Sequence, residues 1–134
     1  MEFIEPYKLT VLILGLSGVM FWLQLVVTDV VGIATKHTPG YSIEQNHDRF
    51  LFRSGRVFAN SNETVGILIL FVLFAILSSA NPTWLNGLSL AYLAGRVGHM
   101  ICYYANLKTL RSVSFVISFI SLLGMFVVGL LGWL

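Results

Sequence analysis

The sequence predicts an all-α integral membrane protein, folded as a four-transmembrane-helix bundle. Hydrophobic residues make up 57% of the 134 residues and charged residues only 10%. Together with a mean hydropathy of +0.84, this composition is unlike that of a soluble globular domain. Four apolar runs cover about residues 9–31, 57–77, 84–104 and 113–134, each close to the roughly 20 residues that cross a bilayer core. We therefore predict one transmembrane domain over residues 1–134.

The first run is predicted to remain in the protein as a helix. Glu2 and Glu5 occupy the place where a signal peptide has positive charges, and the run is too long for such a peptide. Asp29, near the other end of this span, has two interpretations. It balances an arginine of another span, or it reaches the interface and is solvated.

Basic residues are concentrated on one side of the predicted bundle. Six of the eight Lys and Arg residues lie in or beside the loops after spans one and three: Lys36, Arg49, Arg53, Arg56, Lys108 and Arg111. The positive-inside rule therefore predicts that both termini lie outside and that a site built from these arginines faces the cytoplasm. The pattern does not indicate nucleic-acid binding, and His37 and His47 lack the spacing of a metal pair.

A stripe of polar side chains leads into the second span. It consists of Arg49, Arg53, Arg56, Asn60 and Glu63, spaced 4, 3, 4 and 3 residues apart. With helix resuming near residue 46 or 47, this spacing gathers all five onto one face roughly 60° wide. Ionisable groups at membrane depth are costly, so they indicate a functional site.

The third span has a similar polar face and, offset from it, a seam of small residues. The polar face consists of Tyr92, Arg96, His99 and Tyr103, and the seam of Gly87, Ala91 and Gly95. Ser114, Ser118 and Ser121 line one side of span four. Small residues allow helices to approach closely, so we expect tight packing at both seams.

The polar residues suit a ligand of mixed charge, such as a short peptide with two carboxylates and one amine. Guanidinium groups bind carboxylates, Glu63 can bind an ammonium group, and Asn60 can bond a peptide unit. The spacing equally allows a structural alternative, in which Arg56, Glu63 and Arg96 form a buried ion-pair cluster that fixes helix register.

Three motifs resemble the membrane-associated proteins in eicosanoid and glutathione metabolism, the MAPEG family, which includes microsomal glutathione transferases and leukotriene- and prostaglandin-synthesising enzymes. The first is Arg56, Asn60 and Glu63, preceded by Arg53 as in some members. The second runs from Gly95 through Arg96 and His99 to Tyr103, and the third is Arg111-Ser112-Val113. The likeness covers nearly the whole chain. Two features differ from many members: Thr64 follows the signature Glu in place of Tyr, and the end of span one has no basic residue.

The resemblance implies a homotrimer that binds glutathione between neighbouring subunits near the cytoplasmic face. It implies that glutathione is held by Arg53, Arg56, Asn60, Glu63, Arg96, His99 and Tyr103, with Tyr104 as an alternative to Tyr103. Arg111 or Ser112 would then lie at the sulfur as the catalytic group.

Three classes of function are compatible with these residues. The first is an enzyme that activates the glutathione thiol for conjugation to lipophilic electrophiles or for reduction of lipid hydroperoxides. Its second substrate would bind in an apolar groove between subunits, lined by residues such as Phe115, Ile117 and Phe119. The second class is a non-catalytic membrane protein that binds an anionic lipid at the same basic cluster. The third is a small exporter, which would be expected to have a carboxylate deep within a span.

Overall fold

The computed structural model describes residues 2–134, which form a short 3-10 helix and four α-helices. The 3-10 helix at Glu2–Tyr7 leads into α1 (Lys8–Ala34), which is followed by α2 (Phe50–Leu77), α3 (Pro82–Tyr104) and α4 (Lys108–Trp133). Within these described residues, the stretches long and apolar enough to cross a membrane are Glu2–Ala34, Phe50–Leu77 and Lys108–Trp133. α3 is less apolar because it contains Asn86, Arg96 and His99. The predicted all-α, four-helix membrane protein is confirmed.

α2 begins later than the sequence predicts. Helix is expected from about residue 46, whereas Phe50 is the first helical residue. The side chain of Asn46 accepts a hydrogen bond from the Asp48 amide at 2.9 Å, a local turn that competes with helix. Arg49 precedes the helix with an extended ψ of 125°, and its guanidinium pairs with Glu44 at 2.7 Å. Its predicted place in the helical stripe is therefore wrong.

The first three α-helices end with the same backbone motif. Just past each helix a non-glycine residue has a positive φ: 56° at Lys36, 55° at Ser79 and 57° at Asn106. The amide of this residue and the next amide donate to carbonyls of the last helical turn, at 2.7–3.1 Å. This is the Schellman pattern, and it satisfies carbonyls that would otherwise lack partners near an apolar medium.

The turn between α2 and α3 is fixed by side-chain hydrogen bonds. Asn81 caps α3 by accepting hydrogen bonds from two amides of its first turn, at 3.0 and 3.2 Å. Pro82 occupies the first helical position, where no amide donor is needed. The Tyr7 hydroxyl donates to the Ala80 carbonyl at 2.6 Å. This bond attaches the amino-terminal segment to the turn. Because the turn is short, α2 and α3 are antiparallel neighbours.

The apolar core lies at this same end of the bundle. It consists of Tyr7, Leu68, Val72, Ala75, Ala80, Leu85, Tyr92, Leu122 and Met125. α4 closes against it through glycines. A Cβ added at Gly129 would lie 3.0 Å from the Ala75 Cα, and one added at Gly132 would lie 2.6 Å from the Ser78 carbonyl oxygen. Backbone therefore packs against backbone here, and this end of the bundle is tightly built.

α3 and α4 form the most extensive helix pair, and their backbones approach closely at Gly95. A Cβ at Gly95 would lie 2.8 Å from the Ser118 amide nitrogen and 2.9 Å from the Ser114 carbonyl oxygen. A Cβ at Gly87, in contrast, would have no atom of residues 2–134 within 4 Å. The predicted small-residue contact is thus present at Gly95. Gly87 faces away from α4 within the chain, because the next residue, Leu88, is the one that packs on α4, 2.8 Å from a Cβ added at Gly124. The place of Gly87 in a helix seam stays a prediction.

These two glycines provide a matched pair for testing the contact. Gly95→Ala is expected to lower the free energy of unfolding by about 1–3 kcal/mol, because the new methyl group forces two backbones apart. Gly87→Ala is expected to raise it by about 0.5–1 kcal/mol, because alanine favours helix and meets no neighbour. Thermal unfolding in detergent, followed by circular dichroism, measures both. Equal shifts in the two variants would contradict the close contact.

Candidate functional site

A buried hydrogen-bond network joins α1, α2 and α3. Arg96, whose side chain is 0% exposed, donates from Nη1 to Asn60 Oδ1 at 2.7 Å and from Nη2 to Ser61 Oγ at 2.8 Å. Ser61 in turn donates to Gln24 Oε1 at 2.6 Å. Charge-assisted hydrogen bonds of this kind offset part of the cost of burying a guanidinium group. Arg96 is therefore buried beneath the protein surface, and Asn60 is the member of the network that reaches the surface.

The structural alternative of a buried ion-pair cluster is wrong. Arg56 and Glu63 are both exposed, and Glu63 Oε2 accepts a hydrogen bond from Asn60 Nδ2 at 3.2 Å. The ion pairs within residues 2–134 are Lys8–Glu5 and Arg49–Glu44. The charges of Arg56 and Glu63 are thus free to contact a ligand. Asp29 is also exposed and outside these pairs, which agrees with its solvated interpretation.

A pocket of about 250 Å³ opens between α2, α3 and α4. We call it the arginine pocket, and it is lined by Asn60, His99, Arg111, Ser112, Phe115 and Val116. Two nitrogens of its lining residues, His99 Nδ1 and Arg111 Nη1, are buried and have no hydrogen-bond partner among residues 2–134. Buried polar atoms of native proteins are nearly always hydrogen-bonded. These two atoms therefore indicate a place for a polar ligand.

Tyr103 connects the arginine pocket to the loop before α2. The guanidinium carbon of Arg111 lies 4.4 Å from the centroid of the Tyr103 ring, a cation–π contact that fixes the direction of the arginine. The Tyr103 ring is stacked on the His47 ring with centroids 6.1 Å apart, and its hydroxyl lies 3.5 Å from His47 Nε2. Sequence reasoning missed His47 because this residue precedes the helix, where periodicity gives no signal.

Arg53 and Tyr104 lie outside the arginine pocket. Arg53 Nη1 donates to the backbone carbonyls of His47 at 2.6 Å and Asp48 at 3.0 Å, and its guanidinium carbon lies 5.4 Å from the centroid of the Phe50 ring. The Tyr104 ring also packs on the Phe50 ring, with centroids 5.2 Å apart. Arg53 therefore holds the loop against the start of α2, and Tyr104 packs the end of α3 on the same helix start.

The arginine pocket is suited to stabilising a negative charge beside an apolar molecule. Arg111 supplies a permanent positive charge, while Phe115 and Val116 supply apolar surface. The Ser112 hydroxyl donates to the Lys108 carbonyl at 3.2 Å, so it must rotate before it can donate to a ligand. The described residues, 2–134, contain no cluster of three His, Cys, Asp or Glu side chains that could hold a metal ion.

A comparison with protein-family models identifies the family. The model described as the MAPEG family matches residues 9–131, which include nearly all of the four α-helices. A search of curated proteins finds no match. Because the family model covers well over half of the chain, the chain belongs to the MAPEG family.

Proposed function

We propose that this protein is a glutathione-dependent membrane enzyme, which activates the glutathione thiol for conjugation to lipophilic electrophiles or for reduction of lipid hydroperoxides. The observation that carries the proposal is the arginine pocket, where Arg111 and His99 each have a buried nitrogen without a partner in residues 2–134. The MAPEG family includes glutathione-dependent enzymes, which supports the same conclusion.

The exposed charges of α2 match the charges of glutathione. Glutathione has two carboxylates, one ammonium group and two peptide bonds. Arg56 binds a carboxylate as a bidentate pair, and Glu63 binds the ammonium group. Both side chains are exposed, so neither has to break an internal ion pair to bind.

Arg96 contributes by orienting Asn60 rather than by touching the ligand. Because Arg96 Nη1 donates to Asn60 Oδ1, the amide oxygen of Asn60 faces inward and the amide nitrogen faces Glu63. Asn60 Nδ2 is therefore positioned as a donor toward a peptide carbonyl of glutathione.

The chemistry depends on forming a thiolate. A free thiol has a pKa of about 8.5, so most of it is protonated and unreactive at neutral pH. The fixed charge of Arg111, held by its stacking on Tyr103, favours the anionic form, and the proton passes to water. In conjugation the sulfur forms a bond to the electrophilic carbon, and the displaced electron pair goes to the leaving group. In peroxide reduction the sulfur attacks the outer oxygen and breaks the O–O bond, which gives an alcohol and a glutathione sulfenic acid that a second glutathione converts to the disulfide.

The lipophilic substrate has an apolar surface available beside the sulfur. Phe115 lines the arginine pocket, and its ring is stacked on that of Phe119 with centroids 6.0 Å apart. Phe119 and Ile117 are exposed on the outer face of α4, where membrane lipids and lipid-soluble substrates have access. The substrate therefore approaches from the bilayer, and glutathione from the water.

The proposed assembly is a homotrimer with the site at the cytoplasmic face. Arg56 and Glu63 are exposed on the surface of the subunit, as side chains at a site shared with a neighbouring subunit would be. Six of the eight Lys and Arg residues are in or beside the loops at the same end of the bundle, and the positive-inside rule favours the cytoplasm for that end and the outside for both termini.

The function is tested by equilibrium binding of glutathione to detergent-purified protein. Arg56→Ala, Asn60→Ala and Glu63→Ala are each expected to weaken binding by about 1–3 kcal/mol, the cost of removing a charged or buried hydrogen-bond partner. Asn62→Ala is the matched control, because Asn62 is exposed on the same helix but lies off the polar stripe that contains Arg56, Asn60 and Glu63. Unchanged affinity in all three variants would rule out this site.

The role of Arg111 is tested by the thiolate absorbance of bound glutathione near 240 nm, roughly where thiolates absorb. Arg111→Ala is expected to lose this absorbance and to lose turnover, while Ser112→Ala keeps both. Binding is measured separately, so that loss of affinity is not mistaken for loss of thiolate. Absorbance that persists in Arg111→Ala with glutathione bound excludes Arg111, and loss in Ser112→Ala alone transfers the role to Ser112.

The assembly is tested by measuring the particle mass in mild detergent. The expected mass is that of three chains, each of 14.9 kDa, with glutathione bound to the trimer. A stable monomer that binds glutathione with wild-type affinity would contradict a site shared between subunits, while leaving the thiolate chemistry open to the preceding test.

A further inference from the structure

A second and larger cavity lies beneath the loop that joins α1 to α2. Its volume is about 570 Å³, and we call it the loop pocket. The lining residues that define its chemistry are Val31, Lys36, Thr38, Ser42, Arg49 and Leu51. None of them lines the arginine pocket, so the loop pocket is a separate site to which the proposed glutathione chemistry assigns no role.

The charged side chains that line the loop pocket, Lys36 and Arg49, are hydrogen-bond donors. The carbonyls at the end of α1 already accept from backbone amides, including that of Lys36, which donates to Ile33 at 3.1 Å. The first turn of α2, in contrast, has no side-chain cap, and its first residues, Phe50 and Leu51, line the pocket. The first turn of α2 also contains no acidic side chain, so the positive end of its dipole favours an anion here.

The charged side chains of the pocket point to the same ligand class. Lys36 is exposed and forms no ion pair within residues 2–134. Arg49 pairs with Glu44 through Nη1 at 2.7 Å, with both side chains largely exposed. The lining residues identified in the described chain include no carboxylate, while the exposed hydroxyls of Thr38 and Ser42 add two further donors. Ammonium, guanidinium and hydroxyl groups together are the donors that bind a phosphate.

The position of the loop pocket indicates that its ligand also has an apolar part. It lies between the last turn of α1 and the first turn of α2, and both helices belong to stretches long and apolar enough to cross a membrane. Val31, Phe50 and Leu51 form an apolar side of the same cavity. A ligand that fills it therefore combines an anionic group with an apolar one, at the depth of the membrane boundary.

We propose that the loop pocket binds a phosphate ester, with the phosphate on Lys36 and Arg49 and the esterified group against Val31 and Leu51. An anionic phospholipid and a soluble phosphate ester both present this chemistry. Basic pockets between membrane helices are a recurrent means of binding anionic lipid headgroups. This proposal holds whether or not the arginine pocket binds glutathione.

The probe is spin-labelled phosphatidylglycerol, compared with spin-labelled phosphatidylcholine, in phosphatidylcholine bilayers that contain the full-length protein. Electron paramagnetic resonance gives the relative association of each lipid from its immobilised fraction. Wild type is expected to prefer phosphatidylglycerol, and Lys36→Gln to reduce that preference about fivefold, the effect of one basic residue at a membrane surface. Thr38→Val, which keeps every charge, is expected to reduce it as well.

Lys108→Gln is the matched control, because it removes the same charge from an exposed lysine at the start of α4, outside the loop pocket. It is expected to retain the wild-type preference, and circular dichroism verifies that every variant is helical. Soluble glycerol 3-phosphate distinguishes the two sources of phosphate: displacement of the lipid assigns the site to phosphate esters in general, and failure to displace it assigns the site to the phospholipid. Equal losses in Lys36→Gln and Lys108→Gln, or no loss in Lys36→Gln and Thr38→Val, would overturn the proposal.

Discussion

The buried guanidinium of Arg96 is the constraint on which the arrangement of the first three α-helices depends. A charge at membrane depth is costly unless its donors are satisfied, and here the partners are neutral groups on α2, namely Asn60 and Ser61. Ser61 extends the network to Gln24 on α1. Each hydrogen bond to a charged group contributes about 1.5–3 kcal/mol. Rotation or sliding of any of the three helices would break at least one of these bonds, so the network fixes their register.

The same register determines where the candidate site lies. Three residues after Arg96, His99 faces the arginine pocket, and one residue before it, Gly95 brings α3 against the backbone of Ser114 on α4. Arg111 is less than one helical turn from Ser114, so its position follows from that backbone contact. Two adjacent residues of α3 thus position the two sides of the arginine pocket: Arg96 through its hydrogen bonds to α2, and Gly95 through its contact with α4.

Helical periodicity predicts which side chains share a face but not what that face meets. On α3 the prediction is accurate: Tyr92, Arg96, His99 and Tyr103 are all buried on one side. On α2 the same reasoning is incomplete, because Arg56 and Glu63 are exposed while Arg53 is bound to backbone carbonyls of the preceding loop. Loop geometry was not predictable, since the turn at Asn46 and the stacking of His47 depend on contacts that have no sequence period. The family was recognisable because its motifs combine residue identity with spacing, which periodicity alone does not use.

The two ends of the bundle differ in packing: one end is apolar and tightly packed, and the other contains most of the buried polar atoms without partners. At the end with the α2–α3 turn, apolar side chains form the core and Gly129 and Gly132 bring backbones into contact. Within residues 2–134, five of the eight buried polar atoms without a hydrogen-bond partner lie on the loop side of Arg96: Arg53 Nε, His99 Nδ1, Tyr104 OH, Asn106 Oδ1 and Arg111 Nη1. The other three are Arg96 Nε itself, Gln24 Nε2 and Ser17 Oγ. Unsatisfied polar atoms weaken packing where they occur. A polar ligand that supplies their missing partners at the loop end therefore adds order as well as contacts, while the tightly packed end maintains the helix positions that the ligand requires.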